Sequence, residues 1–242
     1  MCRLLGVVAN KPGKFSSLIE QFKEKFSRTN PDGWGIGWYE NGKGQFFKEG
    51  IPAHDPASQL SRVSKEVKSQ IILVHVRKLS IAPRSQKNSH PFQENDWLFI
   101  HNGAVNRNHL YSLLKPKYKQ QLEGETDSEV YFYWVLQNIE SNNNDVIKGV
   151  KDAIKEVISR NYTGLTFLLS DGITLYAFRY SQSPQDAYTL YKLEKKPSNL
   201  DEAVVFVCSE PLTDEEWDEI KFGHILIVKN NLDLSEVKIL GP

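Results

Sequence analysis

The chain has two cysteines, one methionine and no surplus charge of either sign in its 242 residues. Cys2 and Cys208 lie far apart in sequence, so no disulfide framework is expected, and the scarcity fits a reducing cytoplasm. The histidines form no H-E-x-x-H pattern and there is no C-x-x-C, which argues against a zinc or other metal site. Lys plus Arg and Asp plus Glu number 30 each, so the net charge does not point to a nucleic-acid partner. No apolar run reaches the roughly 20 residues that span a bilayer, and no membrane partner is expected. The first residues lack the basic segment, long apolar core and cleavage site of a secretory signal. A phosphate-binding loop, a dinucleotide fingerprint and a serine nucleophile elbow are absent. Kinase, Rossmann and serine-hydrolase chemistry therefore have no motif support, and no cofactor is expected.

What remains is an ordinary globular composition, 40% hydrophobic and 25% charged, long enough to bury a sizeable core. CRLLGVVA reads as a buried first strand ended by NKPG. Phe15, Leu18, Ile19, Phe22 and Phe26 recur at helical spacing. GWGIGWY and QFFKEG, joined through Asn41-Gly42, predict a β-hairpin, because those two residues tolerate the positive φ of a tight turn. A short helix is expected from about Ala57 to Val67, followed by a strand, QIILVHV, buried on both faces. Residues 77–96 are aperiodic and rich in Pro, Ser, Asn and Gln, as functional loops are. WLFIHNG is a further strand. Helices are expected at NRNHLYSLL, DSEVYFYWVLQNI and NDVIKGVKDAIKEVI, then strands at GLTFLLS, ITLYAFRY, YTLYKLE, AVVFVCSE and HILIVK. Strands, helices and strands again, without a repeat or linker, imply an α+β fold in which sheets contact helical layers.

Cys2 is the first chemical candidate. Removal of Met1 would leave a thiol and a free α-amine on one residue, and the amine can then take the thiol's proton. The alternative is an inert core cysteine, which is how Cys208 is read. In NPDGWGIGW three glycines weaken one short strand, either to admit another backbone or to form a bulge. Arg77 follows a strand directly, where a guanidinium can hold a carboxylate in a bidentate fork; a surface salt bridge is the plainer role. His90, in NSHPF, is read as a loop hydrogen-bonder, with general base as the other option. Asn102 and Gly103 close a strand in FIHNGAV, and such a pair can form an oxyanion hole or simply a turn. In GETDSEV, Thr126 and Glu129 have capping-box spacing, which puts Asp127 in or beside a first helical turn. The helix dipole favours Asp there without any function. Its free carboxylate oxygen can also bind an ammonium group.

Taken in order, Cys2, DGWGIGW, HVR, NSHPF, HNG and TDSE resemble the class II glutamine amidotransferases, which are N-terminal-nucleophile hydrolases. CRLLG and SEPLTDEEW are most similar to the stand-alone branch that acts on γ-glutamyl compounds, and the likeness runs from Cys2 to about Trp217. The resemblance implies a four-layer αββα sandwich in one domain over residues 2–242. It implies cleavage of the γ-amide of glutamine or a γ-glutamyl compound through a thioester on Cys2, whose own amine is the base. The Asn102 side chain and the Gly103 N–H would form the oxyanion hole. Arg77 would hold the substrate α-carboxylate and Asp127 the α-ammonium. Ser80 and His90, in the loop after Arg77, complete the expected substrate-binding set. A catalytically silent γ-glutamyl-binding or ammonia-supplying subunit is the alternative, and a plain structural domain is a third. Many coupled enzymes of the family follow the arginine with an aromatic residue and a Thr-His pair. This chain has Lys78, Leu79, Ser80 and Ile81, so its lid contacts are expected to differ. Selectivity for the leaving group is expected from the loop between Lys78 and Gln93. The family's synthase or transferase domain does not fit in this length, so a macromolecular partner would be a separate synthase subunit or a second copy of the chain.

Overall fold

Two antiparallel sheets lie face to face, and each carries helices on its outer side. The computed structural model describes residues 1–79, 82–183, 188–195 and 203–241. In chain order the first half comprises β1 (Arg3–Gly13), α1 (Ser16–Phe26), β2 (Trp34–Glu40), β3 (Lys43–Glu49), α2 (Leu60–Glu66), β4 (Ser69–Val76), β5 (Phe92–Glu94) and β6 (Trp97–Gly103). Four helices follow: α3 (Arg107–Leu113), α4 (Pro116–Lys119), α5 (Asp127–Ser141) and α6 (Val146–Val157). The remaining strands are β7 (Leu165–Ser170), β8 (Thr174–Phe178), β9 (Tyr191–Lys195), β10 (Val204–Cys208), β11 (Asp218–Glu219), β12 (His224–Lys229) and β13 (Leu234–Lys238). The first sheet runs β11-β9-β10-β1-β4-β2-β3 and the second β13-β12-β8-β7-β6-β5.

Strand alternation builds the layers. On β1, Leu5 and Val7 pack with Ile19 and Phe22 of α1 and Leu60 of α2, while Leu4 and Val8 face the second sheet. On β4, Ile72 and Val74 face the same helices, and Ile71 and Leu73 point inward. Phe99 of β6 and Phe167 of β7 meet α5 and α6, whereas Leu98, Ile100 and Leu168 join the layer between the sheets. Strands buried on both faces need near-continuous apolar sequence, which is what CRLLGVVA and QIILVHV supply. Each fully buried leucine or phenylalanine contributes about 1.5–3 kcal/mol. The result is the four-layer α-β-β-α sandwich that the resemblance implied.

The expected elements recur with local differences. Asn41 (φ 52°) and Gly42 (φ 77°) turn the β2–β3 hairpin. Helix α2 is shorter than the 57–67 stretch, and β5 falls inside the segment read as aperiodic. Helix α4 and strands β11 and β13 had not been expected; β5 and β11 are too short for a period to register, and β13 is largely exposed. The glycines of β2 admit another backbone. A Cβ on Gly35 would overlap the carbonyl oxygen of His90, and Gly37 faces Pro91. The loop that lies on them is docked: Asn88 and Ser89 are fully buried, Asn88 accepts from the Glu125 N–H at 2.8 Å, and Ser89 donates to the Glu49 carbonyl at 3.0 Å.

Candidate active site

Cys2 stands just before β1 and Arg77 just after β4, and these neighbouring strands pair Arg3 with Val76. Both side chains therefore leave the same end of the first sheet. Asn102 and Gly103 end β6 in the second sheet, and Asp127 opens α5 outside it. One cavity of about 270 Å³ is lined by all five, together with His90.

The thiol sits against the main chain of Lys78. The Lys78 N–H donates to Sγ at 3.4 Å, and the thiol donates to the Lys78 carbonyl at 3.6 Å. Burial pushes the Cys2 thiol pKa up, opposed by the Lys78 backbone, the terminal amine and Arg77. Burial pushes the Met1 amine down, with Lys78 and Arg3 adding to the shift and Cys2 opposing it. Both shifts run toward the uncharged form of their group, because burial penalises charge. The local backbone is anchored: the Asn30 amide donates to the Met1 carbonyl, and Arg3 donates to the Cys2 carbonyl at 3.1 Å while paired with Glu210. Cys208 is fully buried in the first-sheet core with its pKa pushed up to about 12, the inert thiol expected.

Asn102 is 1% exposed, and neither Oδ1 nor Nδ2 has a hydrogen-bond partner among the described residues. A buried polar group left unpaired costs about 1–3 kcal/mol, and this one lines the cavity. Gly103 has φ 147°, and a Cβ there would overlap the Gly164 carbonyl, which excludes any side chain.

Arg77 is buried. Its guanidinium donates to the Ala82 carbonyl at 2.7 Å and the Pro83 carbonyl at 3.0 Å, so it anchors the loop as well as facing the cavity. Asp32, in the glycine-rich stretch, binds both arms of that loop, accepting from the Leu79 N–H at 2.7 Å and from Arg84 at 2.6 Å. Asp127 accepts from the Val105 N–H through Oδ2 at 2.8 Å, and no described residue donates to Oδ1. Thr126 caps the Glu129 N–H at 3.2 Å, but Glu129 accepts from the Glu123 and Gly124 N–H groups instead of returning to the cap. The capping box is therefore half formed, and its aspartate keeps one oxygen open.

His90 differs from the loop hydrogen-bonder read from sequence. It is buried, lines the cavity, and neither ring nitrogen has a partner among the described residues. Its ring packs on His75 with centroids 4.1 Å apart. Burial and neighbouring positive charge hold both rings neutral, His75 lowered to about 3 and His90 well below the usual histidine value. His101 is tied to Ser128 at 2.9 Å and to the Gly164 carbonyl at 3.1 Å. Ser80 lies outside the described residues. Sequence reasoning did not single out Asp32, His75 and His101, although they stand inside the motifs DGWG, HVR and HNG. It also passed over Asn30, Thr163 and Tyr188; the last two line the cavity and belong to no motif. Among the described residues no cluster of His, Cys, Asp and Glu could hold a metal ion, and no helix is long and apolar enough to cross a membrane.

The family model for class II glutamine amidotransferases matches residues 1–238. An uncharacterized protein of Methanocaldococcus jannaschii is 29% identical over 95% of this chain and 70% of its own length. The γ-glutamyl-hercynylcysteine sulfoxide hydrolase of Mycolicibacterium smegmatis is 26% identical over 86% of this chain and 82% of its own. The structure of a glutamine aminotransferase class-II domain protein from Silicibacter pomeroyi superposes with a TM-score of 0.75 at 25% identity, covering 98% of this chain and 99% of that one. With the αββα sandwich, this match over nearly the whole length means that the chain belongs to the class II glutamine amidotransferases.

Proposed function

We propose that the protein, after loss of Met1, hydrolyses the γ-amide bond of glutamine or a γ-glutamyl compound through a thioester on Cys2. The Cys2 amine takes the thiol proton and Sγ attacks the γ-carbonyl carbon. Charge on the carbonyl oxygen is received by Asn102 Nδ2 and the Gly103 N–H; one such donor contributes about 3 kcal/mol to lowering the barrier. On collapse the C–N bond breaks and the amine's proton passes to the leaving nitrogen. Water then attacks the thioester, the amine again relays the proton, and glutamate leaves with the thiol restored. Arg77 holds the substrate α-carboxylate and Asp127 its α-ammonium, with His90 as a neutral wall beside them.

The observation that carries this reading is the buried, unpartnered Asn102 amide in one cavity with the Cys2 thiol. The relative named for a γ-glutamyl hydrolysis supports the substrate class. In this reading residues 2–242 are one catalytic domain, water is the intrinsic acceptor, and the two free thiols suit a reducing cytoplasm.

Glutamate release from glutamine and γ-glutamyl amides tests it, with protein shown by intact mass to lack Met1. Cys2→Ala is expected to release none while staying folded, and Cys208→Ser to remain near normal. Turnover by clean Cys2→Ala protein, or a folded but dead Cys208→Ser variant, ends the mechanism.

A further inference from the structure

Once the roles above are assigned, one side of the cavity is left over. Its α-amino-acid end is taken by Arg77 and Asp127, and the reacting carbonyl lies between Cys2 and Asn102. Among the lining residues with no role assigned above are Lys78, Leu79, Thr163 and Tyr188. Lys78, Leu79 and Thr163 are exposed and Tyr188 is half-buried, so this side is the mouth. A leaving group larger than ammonia has to extend through it.

The Tyr188 ring lies against Gly164, where a Cβ would come within 2.5 Å of it, and its hydroxyl donates to Thr163 at 3.0 Å. The Thr163 N–H donates to the Ala104 carbonyl at 2.9 Å, which ties Thr163 to the strand end bearing Asn102 and Gly103. The Lys78 main chain is held on the Cys2 sulfur, so its side chain starts beside the reacting atom. No ion pair or hydrogen bond engages the Lys78 ammonium among the described residues. Farther along the loop Asn88 and Ser89 are fully buried.

We propose that Lys78 is a specificity-determining residue: it and the Tyr188–Thr163 wall form a leaving-group subsite for amines that carry a carboxylate, such as the amino group of an amino acid or short peptide. The inference rests on the hydrolase reading above. The bond broken is the same γ-amide, and the relayed proton goes to the amino nitrogen of the departing amino acid, whose carboxylate stays paired with Lys78.

The test compares γ-glutamylglycine, γ-glutamylglycinamide and glutamine, using protein without Met1 and following glutamate. The first two differ only in the carboxylate. The wild type is expected to favour γ-glutamylglycine over γ-glutamylglycinamide in kcat/KM, and Lys78→Gln to reduce that preference by about fivefold, the upper scale of a solvent-exposed charge pair. Lys78→Glu is expected to invert it, and added salt to weaken it in the wild type. Tyr188→Ala is expected to lower the ratio of either substituted amide to glutamine. A preference indifferent to both Lys78 substitutions overturns the assignment. Hydrolysis of glutamine with refusal of both substituted amides removes the subsite but leaves the hydrolase. Glutamate from none of the three removes the hydrolase reading and this inference with it.

Discussion

At Asp127 one substitution separates a charge from a hydrogen bond. Asp127→Asn keeps an oxygen for the Val105 N–H but removes the negative charge facing the cavity. Arg77→Lys keeps the charge but loses the planar fork that also reaches two loop carbonyls. Breaking one side of a buried charge contact costs about 2–5 kcal/mol, so each variant is expected to lose more than tenfold in kcat/KM, with KM carrying most of it. Steady-state glutamate release checks this; unchanged KM in both would return Arg77 to loop anchoring and Asp127 to holding the Val105 N–H. At this scale the sequence showed which residues had suitable chemistry. It did not show that Asn102 would find no hydrogen-bond partner among the described residues, because that depends on what every neighbouring segment declines to offer.

Strand β2 carries a structural cost that sequence could state only as a choice between close approach and a bulge. The glycines lie beneath residues 89–91, and Gly35 touches the His90 carbonyl directly. Gly35→Ala is therefore expected to force that segment away. Overpacking of this kind costs about 1–3 kcal/mol, which for a chain of this size lowers Tm by several degrees, about 2–4 °C per kcal/mol. Thermal unfolding followed by circular dichroism measures it, and an unaltered Tm would show that the loop yields freely. The long elements were legible because period and caps are local. β5 was not, since three residues pairing with β6 carry no period of their own.

For the whole molecule, the packing of His75 and His90 between the sheets sets a pH response. Both are held neutral in the fold, His75 down to about 3. An unfolded chain protonates these rings near about pH 6.5. As pH falls from there toward the folded value, the unfolded state binds protons that the folded state refuses. Stability therefore falls with pH in that window, by up to about 1.4 kcal/mol per pH unit for each histidine. Tm measured from pH 7.5 to 5 checks this, and a flat profile would show that the rings accept protons in place. Sequence by itself determined the strands buried on both faces, the helices, the hairpin turn and the order of the motifs, because each is written in neighbouring residues. Only tertiary structure decided that β1 pairs with β4 and β10, and that Cys2, Arg77, Asn102 and Asp127 share one cavity with Thr163 and Tyr188. Those meetings join segments far apart in the chain, and they are settled by how four layers bury their apolar faces together, which no local pattern records.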